Sequence, residues 1–269
     1  MTIILRREEE RDHRPVEGMT REAFWGQSGP RCDEHLLVHR LRGAGCFVPE
    51  LDVVAELDGT VVGHVVWSHA TVVGDGITHP VLTFGPLSVD PSYQGRGVGD
   101  TLMRHTLAEA ARLGHRAVVF YGHPDHYPRF GFRPGAEAGI TAPGGATFDA
   151  LMAMPLVLGG LDGVRGEFHE DPAFHLELAE VEEFDATFPP KEPAARTALG
   201  AIEGRVPGAV VEALLAHGLT ELEQLFRFSS AEAAAWDGVG AAGAVALRAA
   251  VRPHGIRWGA PDPGGVRAG

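Results

Sequence analysis

Three glycines spaced by two, Gly95, Gly97 and Gly99, sit where the apolar run 81–89 gives way to a helix-patterned segment. Glycine admits positive φ and lets backbone approach a ligand closely, so that successive N–H groups point outward. At the start of a helix, those unpaired donors join the positive end of the helix dipole and suit a pyrophosphate. The spacing alone fits equally well a tight strand-to-helix turn that binds nothing. It is not a P-loop, because no Gly-Lys-Ser/Thr follows, and it lacks the setting of a dinucleotide fingerprint. His64/His69 and His123/His126 fall on different elements, and no His-x-x-x-His with a partner acid occurs. Cys32 and Cys46 are the only cysteines and show no CxxC spacing. Neither a metal centre nor a disulfide framework is expected.

Length and composition bound what can position these residues. The chain has 269 residues, 44% hydrophobic and 22% charged, enough for one proper core and a smaller second domain. A formal net charge of -13 repels phosphodiesters and excludes a whole-protein nucleic-acid coat, while leaving a local basic groove open. Lys191 is the only lysine in an alanine- and arginine-rich chain, which reads as compositional bias. No stretch approaches the ~18 apolar residues of a membrane span, and the N-terminus is short and charged. A cytoplasmic protein without membrane contact is expected.

The first 160 or so residues alternate between strand-like and helix-like patterns. Asp58-Gly59 between two β-rich runs signals a two-residue hairpin, and Gly74-Asp75-Gly76 signals a second turn leading to the run at 81–89. Val98, Leu102, Met103, Thr106, Ala110 and Leu113 share one side of a helix that Gly114 stops. A short buried strand is expected at 117–122, with one or two more within 152–169. The acidic, proline-punctuated stretch 166–193 reads as a solvated extension or linker, 194–258 as a small alanine-rich helical domain, and 259–269 as a tail.

Gln94-x-x-Gly97-x-Gly99, within LSVDPSYQGRGVGDTLM, resembles the Q/R-x-x-G-x-G/A signature of the GNAT superfamily of acyl-CoA N-acyltransferases. About thirty residues downstream, Tyr127-Pro128-Arg129-Phe130-Gly131-Phe132 resembles the Y-x-x-x-G-F element of the same superfamily. The variant GHPDHYPRFGF is similar to a subgroup of predicted acetyltransferases. For residues 1–165 the resemblance implies an α/β (α+β) fold, a mixed, mostly antiparallel sheet flanked by helices that splays open at the glycine turn. It implies acetyl-CoA as co-substrate and direct transfer of the acetyl group to an amine acceptor. The implied cofactor-binding residues are Leu87, Ser88 and Val89, whose strand meets the pantetheine arm, and Gln94, Gly95, Arg96, Gly97, Val98, Gly99, Asp100 and Thr101 around the pyrophosphate. Tyr127 matches the tyrosine credited as general acid. The glutamate that many members carry on the strand before the glycine turn is missing from VLTFGPLSV. Glu22, His64, His69, His123, Asp125 or a chain of waters then stand as alternatives for the base.

The C-terminal segment reads as helices separated by His217-Gly218-Leu219, capped at Ser229-Ser230 and joined through Gly238-Val239-Gly240, with Thr220 and Glu223 as a capping box. It resembles the C-terminal domain of the bacterial RNA polymerase alpha subunit and other helix-hairpin-helix modules. Its hairpin carries Asp237 and no lysine, so direct DNA binding is not expected and a protein-docking or structural role is favoured. A homodimer is left open, and a CoA-binding regulatory or adaptor protein is the alternative to the enzyme.

Overall fold

Asp58 and Gly59 both take positive φ, +50° and +79°, and so do Asp75 and Gly76, at +52° and +75°. Two such residues match the right-handed twist of the strands they join, and they close the two hairpins at the centre of the fold. The computed structural model describes residues 3–26, 32–228, 230–254, 256 and 258. In chain order its regular elements are β1 (Ile4–Arg7), α1 (His13–Phe24), α2 (Glu34–Leu41), β2 (Val53–Leu57), β3 (Thr60–Gly74), β4 (Ile77–Val89), α3 (Val98–Arg112), β5 (Ala117–Tyr121), β6 (Arg133–Pro134), β7 (Ile140–Thr141), β8 (Leu151–Pro155), β9 (Gly166–His169), α4 (Leu178–Asp185), α5 (Gly208–Ala216), α6 (Ser230–Ala235) and α7 (Gly240–Val251). Two compact units emerge. One comprises Met1–Phe120, Ala138–Ala146 and Ala153–Ala194; the other comprises Tyr121–Glu137, Thr147–Met152 and Ala195–Gly269.

In the first unit, β1, β2, β3 and β4 pair antiparallel in that order, and β5 joins β4 in parallel. β9 pairs antiparallel with the far half of β3, and β7 pairs parallel with β9. This is the mixed, mostly antiparallel sheet that the sequence implies. Side chains alternate across the sheet, so its two faces bury different helices. A Cβ at Gly63 would sit 2.7 Å from Val98 and 2.9 Å from Leu102, which puts α3 on that face. Val54 and Val66 point the other way and bury with Val16 of α1 and with Val38 and Leu41 of α2. On α3 the expected stripe is buried at Val98, Leu102, Met103, Thr106 and Ala110. Leu113 lies past the helix end and stays 36% exposed. Gly114, at φ +91°, turns the chain so that His115 N–H reaches Ala110 O.

The acidic stretch 166–193 is not a free linker. It supplies β9 and α4, and α4 lies on α1 and α2 through opposite charges. Arg21 Nε donates to Asp185 Oδ1 at 2.5 Å and Nη2 donates to Oδ2 at 3.1 Å, with both side chains buried. Arg40 reaches Glu180 at 2.7 Å, Lys191 reaches Glu22 at 2.5 Å, and the Arg14 guanidinium lies 3.4 Å over the Phe188 ring. Burial pushes His35, 3.3 Å from Asp185, down to about 4, so it is neutral and cannot replace Arg21 as a counter-charge. Arg21→Ala is therefore expected to lose about 3–5 kcal/mol in urea denaturation, the cost of stranding a buried carboxylate. A loss under about 1 kcal/mol would mean that Asp185 is solvated.

In the second unit, residues 195–258 bury their own core, with Leu199, Ile202, Val210, Leu214, Leu222, Leu247 and Trp258 at its centre. The segment expected as a second helix, Leu222–Arg227, is a 3-10 turn. Its capping box also falls one residue later than expected. Glu221 N–H donates to Gln224 Oε1, while Glu223 takes the backbone N–H of Thr197. Gly238 and Gly240 adopt φ of +81° and +61° at the start of α7. Ser229 and the tail 259–269 lie outside the described residues. No helix among the described residues is long and apolar enough to cross a membrane.

Candidate active site

β4 and β5 share one register pair, Leu82↔Val118, so the parallel strands part beyond Leu82. Opposite β3, the register shifts between Val65 and Trp67, leaving an extra residue on β4 at the Gly85-Pro86 level. The Leu87–Val89 end of β4 therefore remains paired to β3 but has no β5 ladder on its other edge. Ser88 is fully buried, and its hydroxyl lies 2.8 Å from that of Thr20. Gln94 Nε2 donates to Val89 O at 3.2 Å and holds the glycine turn against the strand end.

Gly95 and Gly97 take φ of +74° and +82°, and a Cβ on either would meet no atom within 4 Å. Their glycine identity therefore answers to backbone conformation and to open space outside, not to internal crowding. Gly97 is the N-cap of α3, and the first ladder bond runs from Thr101 N–H to Gly97 O at 3.0 Å. Val98 and Gly99 N–H precede that ladder and stand at the positive helix end. Thr101, expected within the cradle, also turns its hydroxyl back to Gly97 O at 2.9 Å. Arg96 lies 5.4 Å from the Tyr93 ring centre. The result is a donor-lined helix start with open space outside Gly95 and Gly97, an arrangement that suits a phosphate group.

Tyr127 opens a 3-10 turn, Tyr127–Phe130, in the second unit. Its ring packs edge-on to His126 at 4.9 Å and to Phe132 at 5.9 Å. Burial raises the phenol above its ordinary value, so the hydroxyl stays protonated at neutral pH.

The alternatives for the base are mostly committed elsewhere. Glu22 is ion-paired with Lys191. His64 is fully buried, its Nε2 2.7 Å from Asp52 Oδ1, and Glu8 lies beside it. Glu8, Asp52 and His64 come close enough to share a cation, but Arg42 already donates to both oxygens of Glu8. His69 is exposed beside His115 at 5.6 Å. Asp125 accepts from the backbone N–H and the hydroxyl of Ser230, both at 3.1 Å. His123 Nδ1 accepts the Asp125 N–H at 3.2 Å, which leaves the proton on Nε2, a buried atom with no partner. Desolvation lowers its pKa, so His123 is a neutral N–H donor at pH 7.

Sequence reasoning missed Glu170, just past β9, whose carboxyl burial pushes up to about 7. Nothing in a run of many acids marks which one the fold covers. Its pKa is raised above the unfolded value of 4.5, so its contribution to stability is full below pH 4.5 and is lost as pH rises to about 7. Glu170→Gln should leave urea stability unchanged at pH 4 and raise it by about 1–3 kcal/mol at pH 8, on ~1.4 kcal/mol per pKa unit discounted for partial exposure. Equal effects at both pH values would show an ordinary solvated carboxylate.

Residues 7–132 match the acetyltransferase (GNAT) family. The uncharacterized N-acetyltransferase YjhQ of Escherichia coli (strain K12) is 38% identical over 96 residues, 35% of this chain and about half, 53%, of YjhQ. The uncharacterized N-acetyltransferase YhbS of the same strain is 32% identical over 158 residues, 58% of this chain and 93% of YhbS. Among solved structures, YhbS from Escherichia coli in complex with CoA superposes with a TM-score of 0.56 at 28% identity, covering 64% of this chain and 91% of that one. A GNAT family acetyltransferase from Brucella melitensis in complex with acetyl-CoA gives 0.52 at 27% identity, covering 65% and 99%. A third of positions identical across nearly the whole of YhbS, on the same fold, places this protein in the GNAT family of acetyltransferases.

Proposed function

We propose that the protein transfers an acetyl group from acetyl-CoA directly to an amine of a small molecule or a protein. The observation that carries this reading is the donor-lined start of α3, where positive-φ Gly95 and Gly97 leave open space beside an unladdered β4 end. Leu87 and Val89 offer backbone groups to the pantetheine arm as an added strand would, and the 95–101 turn holds the pyrophosphate. The amine nitrogen bonds to the thioester carbonyl carbon and the C–S bond breaks. The proton released from nitrogen ends on the departing sulfur, with Tyr127 as the hydroxyl that passes it. The relatives solved with CoA and with acetyl-CoA support the choice of donor.

The test pairs calorimetry of the full chain against acetyl-CoA with CoA release across a panel of amines. One acetyl-CoA per chain and amine-dependent CoA release are expected. No acetyl-CoA binding would overturn the reading.

A further inference from the structure

The turn that carries Tyr127 has little regular structure of its own. His123 O accepts from the N–H of both His126 and Tyr127, at 2.9 and 3.3 Å, and the 3-10 turn ends at Gly131 with φ +103°. What anchors it comes from far along the chain. Both oxygens of Asp125, two residues before Tyr127, accept from Ser230, the first residue of α6. Next to this turn, Gly122 N–H donates to Ala150 O, and Tyr121 stacks on Phe148 at 5.9 Å. That neighbouring segment is tied to α6 as well, through Asp149 N–H to Glu232 Oε1 at 3.1 Å. The helix itself is fixed by the module core, with Ala233 fully buried and Trp236 stacked on His217 at 4.0 Å. Residues 121–137 and 147–152 accordingly belong to the same compact unit as 195–269.

We propose that the C-terminal helical module is a positioning element for acetyl transfer, with Ser230 and Glu232 of α6 fixing, through Asp125 and Asp149, the turn that carries Tyr127. The inference rests on the reading of Tyr127 as the proton donor. The solved CoA complexes above are covered over 91% and 99% of their length yet match only 64% and 65% of this chain, so about a third of it lies outside those matches. The module then has a task inside the enzyme: an acidic side chain in the loop and a serine 105 residues later hold the donor at one place. A small displacement of a catalytic group is enough to lower turnover without touching affinity for the donor substrate.

The test uses the full chain with acetyl-CoA and spermidine, or another primary amine that the parent turns over, together with hydrogen exchange of the amides of residues 123–131. Asp125→Ala is expected to speed that exchange at least tenfold and to lower kcat about tenfold, while the Kd for acetyl-CoA stays within twofold. Ser230→Thr, which keeps the hydroxyl and the N–H, is expected to retain parent exchange and kcat, and Ser230→Ala to fall between. Should Asp125→Ala fail to fold, Ser230→Ala combined with Glu232→Ala, which removes the hydroxyl bond to Asp125 and the acceptor of the Asp149 N–H, is expected to speed exchange and lower kcat further than Ser230→Ala alone. Parent-like exchange or parent-like kcat in the variant that folds overturns the proposal. Tyr127→Phe is measured alongside. If it leaves kcat unchanged, the proton-donor reading fails, and the exchange measurement alone decides whether α6 holds the turn.

Discussion

Gly97→Val is expected to weaken acetyl-CoA binding about a hundredfold while the domain still folds. Two costs meet at this position and can be separated. The first is conformational. At φ +82° an L-residue pays roughly 1–2 kcal/mol of backbone strain, and this lowers stability without regard to ligand. The second falls on the complex alone. A side chain here meets no protein atom within 4 Å, so it projects into the space proposed for the pyrophosphate. Losing two backbone bonds to a charged acceptor, at about 1.5 kcal/mol or more each, gives roughly 3 kcal/mol, or about a hundredfold in Kd. Gly114 provides the matched control. It has φ +91°, an equally open Cβ direction and a place at the other end of the same helix. Gly114→Val should lower stability by a similar amount and leave acetyl-CoA affinity intact. Gly99 is different again. Its backbone is helical, and an added Cβ would stand 3.6 Å from Val89 and 3.9 Å from Leu87, so Gly99→Ala should fold at little cost. Calorimetry on the folded variants decides. Parent-like affinity in Gly97→Val would remove the pyrophosphate from this turn.

The parts of this structure that were legible in the sequence are those whose determinants are local. Asp58-Gly59 and Asp75-Gly76 declare their hairpins because few other pairs tolerate two positive φ values. The α3 stripe is legible because its buried residues recur at helical spacing within one segment. What stayed hidden depends on partners distant in the chain. The acidic stretch 166–193 reads as solvated until Arg21, 164 residues before Asp185, supplies the charge that buries it. Asp125 reads as one alternative for the base until Ser230 claims both its oxygens. The capping box slipped by one residue because Thr220-x-x-Glu223 fits the sequence pattern, whereas Glu223 is drawn to Thr197 and leaves the capping to Glu221 and Gln224. In each case a local rule was sound and a tertiary partner outweighed it.

Tyr127→Phe should separate chemistry from binding more sharply than any other single change. Phenylalanine keeps the ring that packs against His126, Phe130 and Phe132, so the turn retains its shape and only the hydroxyl is lost. Burial raises the phenol pKa, which fixes the direction of its pH behaviour. The hydroxyl is protonated throughout the neutral and mildly alkaline range, so its ionisation cannot produce an alkaline fall in rate below about pH 10, the ordinary phenol value. Any fall in rate at lower pH must reflect protonation of the amine or of another group. Removing a general acid typically costs ten- to ten-thousandfold in turnover. A half-buried donor whose raised pKa makes it a reluctant acid belongs toward the lower part of that range, about ten- to a thousandfold. Acetyl-CoA affinity should be unchanged within about twofold, because the cradle residues lie on the 95–101 turn and not on this one. The measurement is kcat and acetyl-CoA Kd for parent and variant across pH 6–9.5, with an acceptor that gives turnover. A uniform drop in kcat across that range is the expected signature of a donor that never ionises there. Unchanged kcat would assign the proton to water, and weakened acetyl-CoA binding with unchanged kcat would make Tyr127 a binding residue instead of an acid.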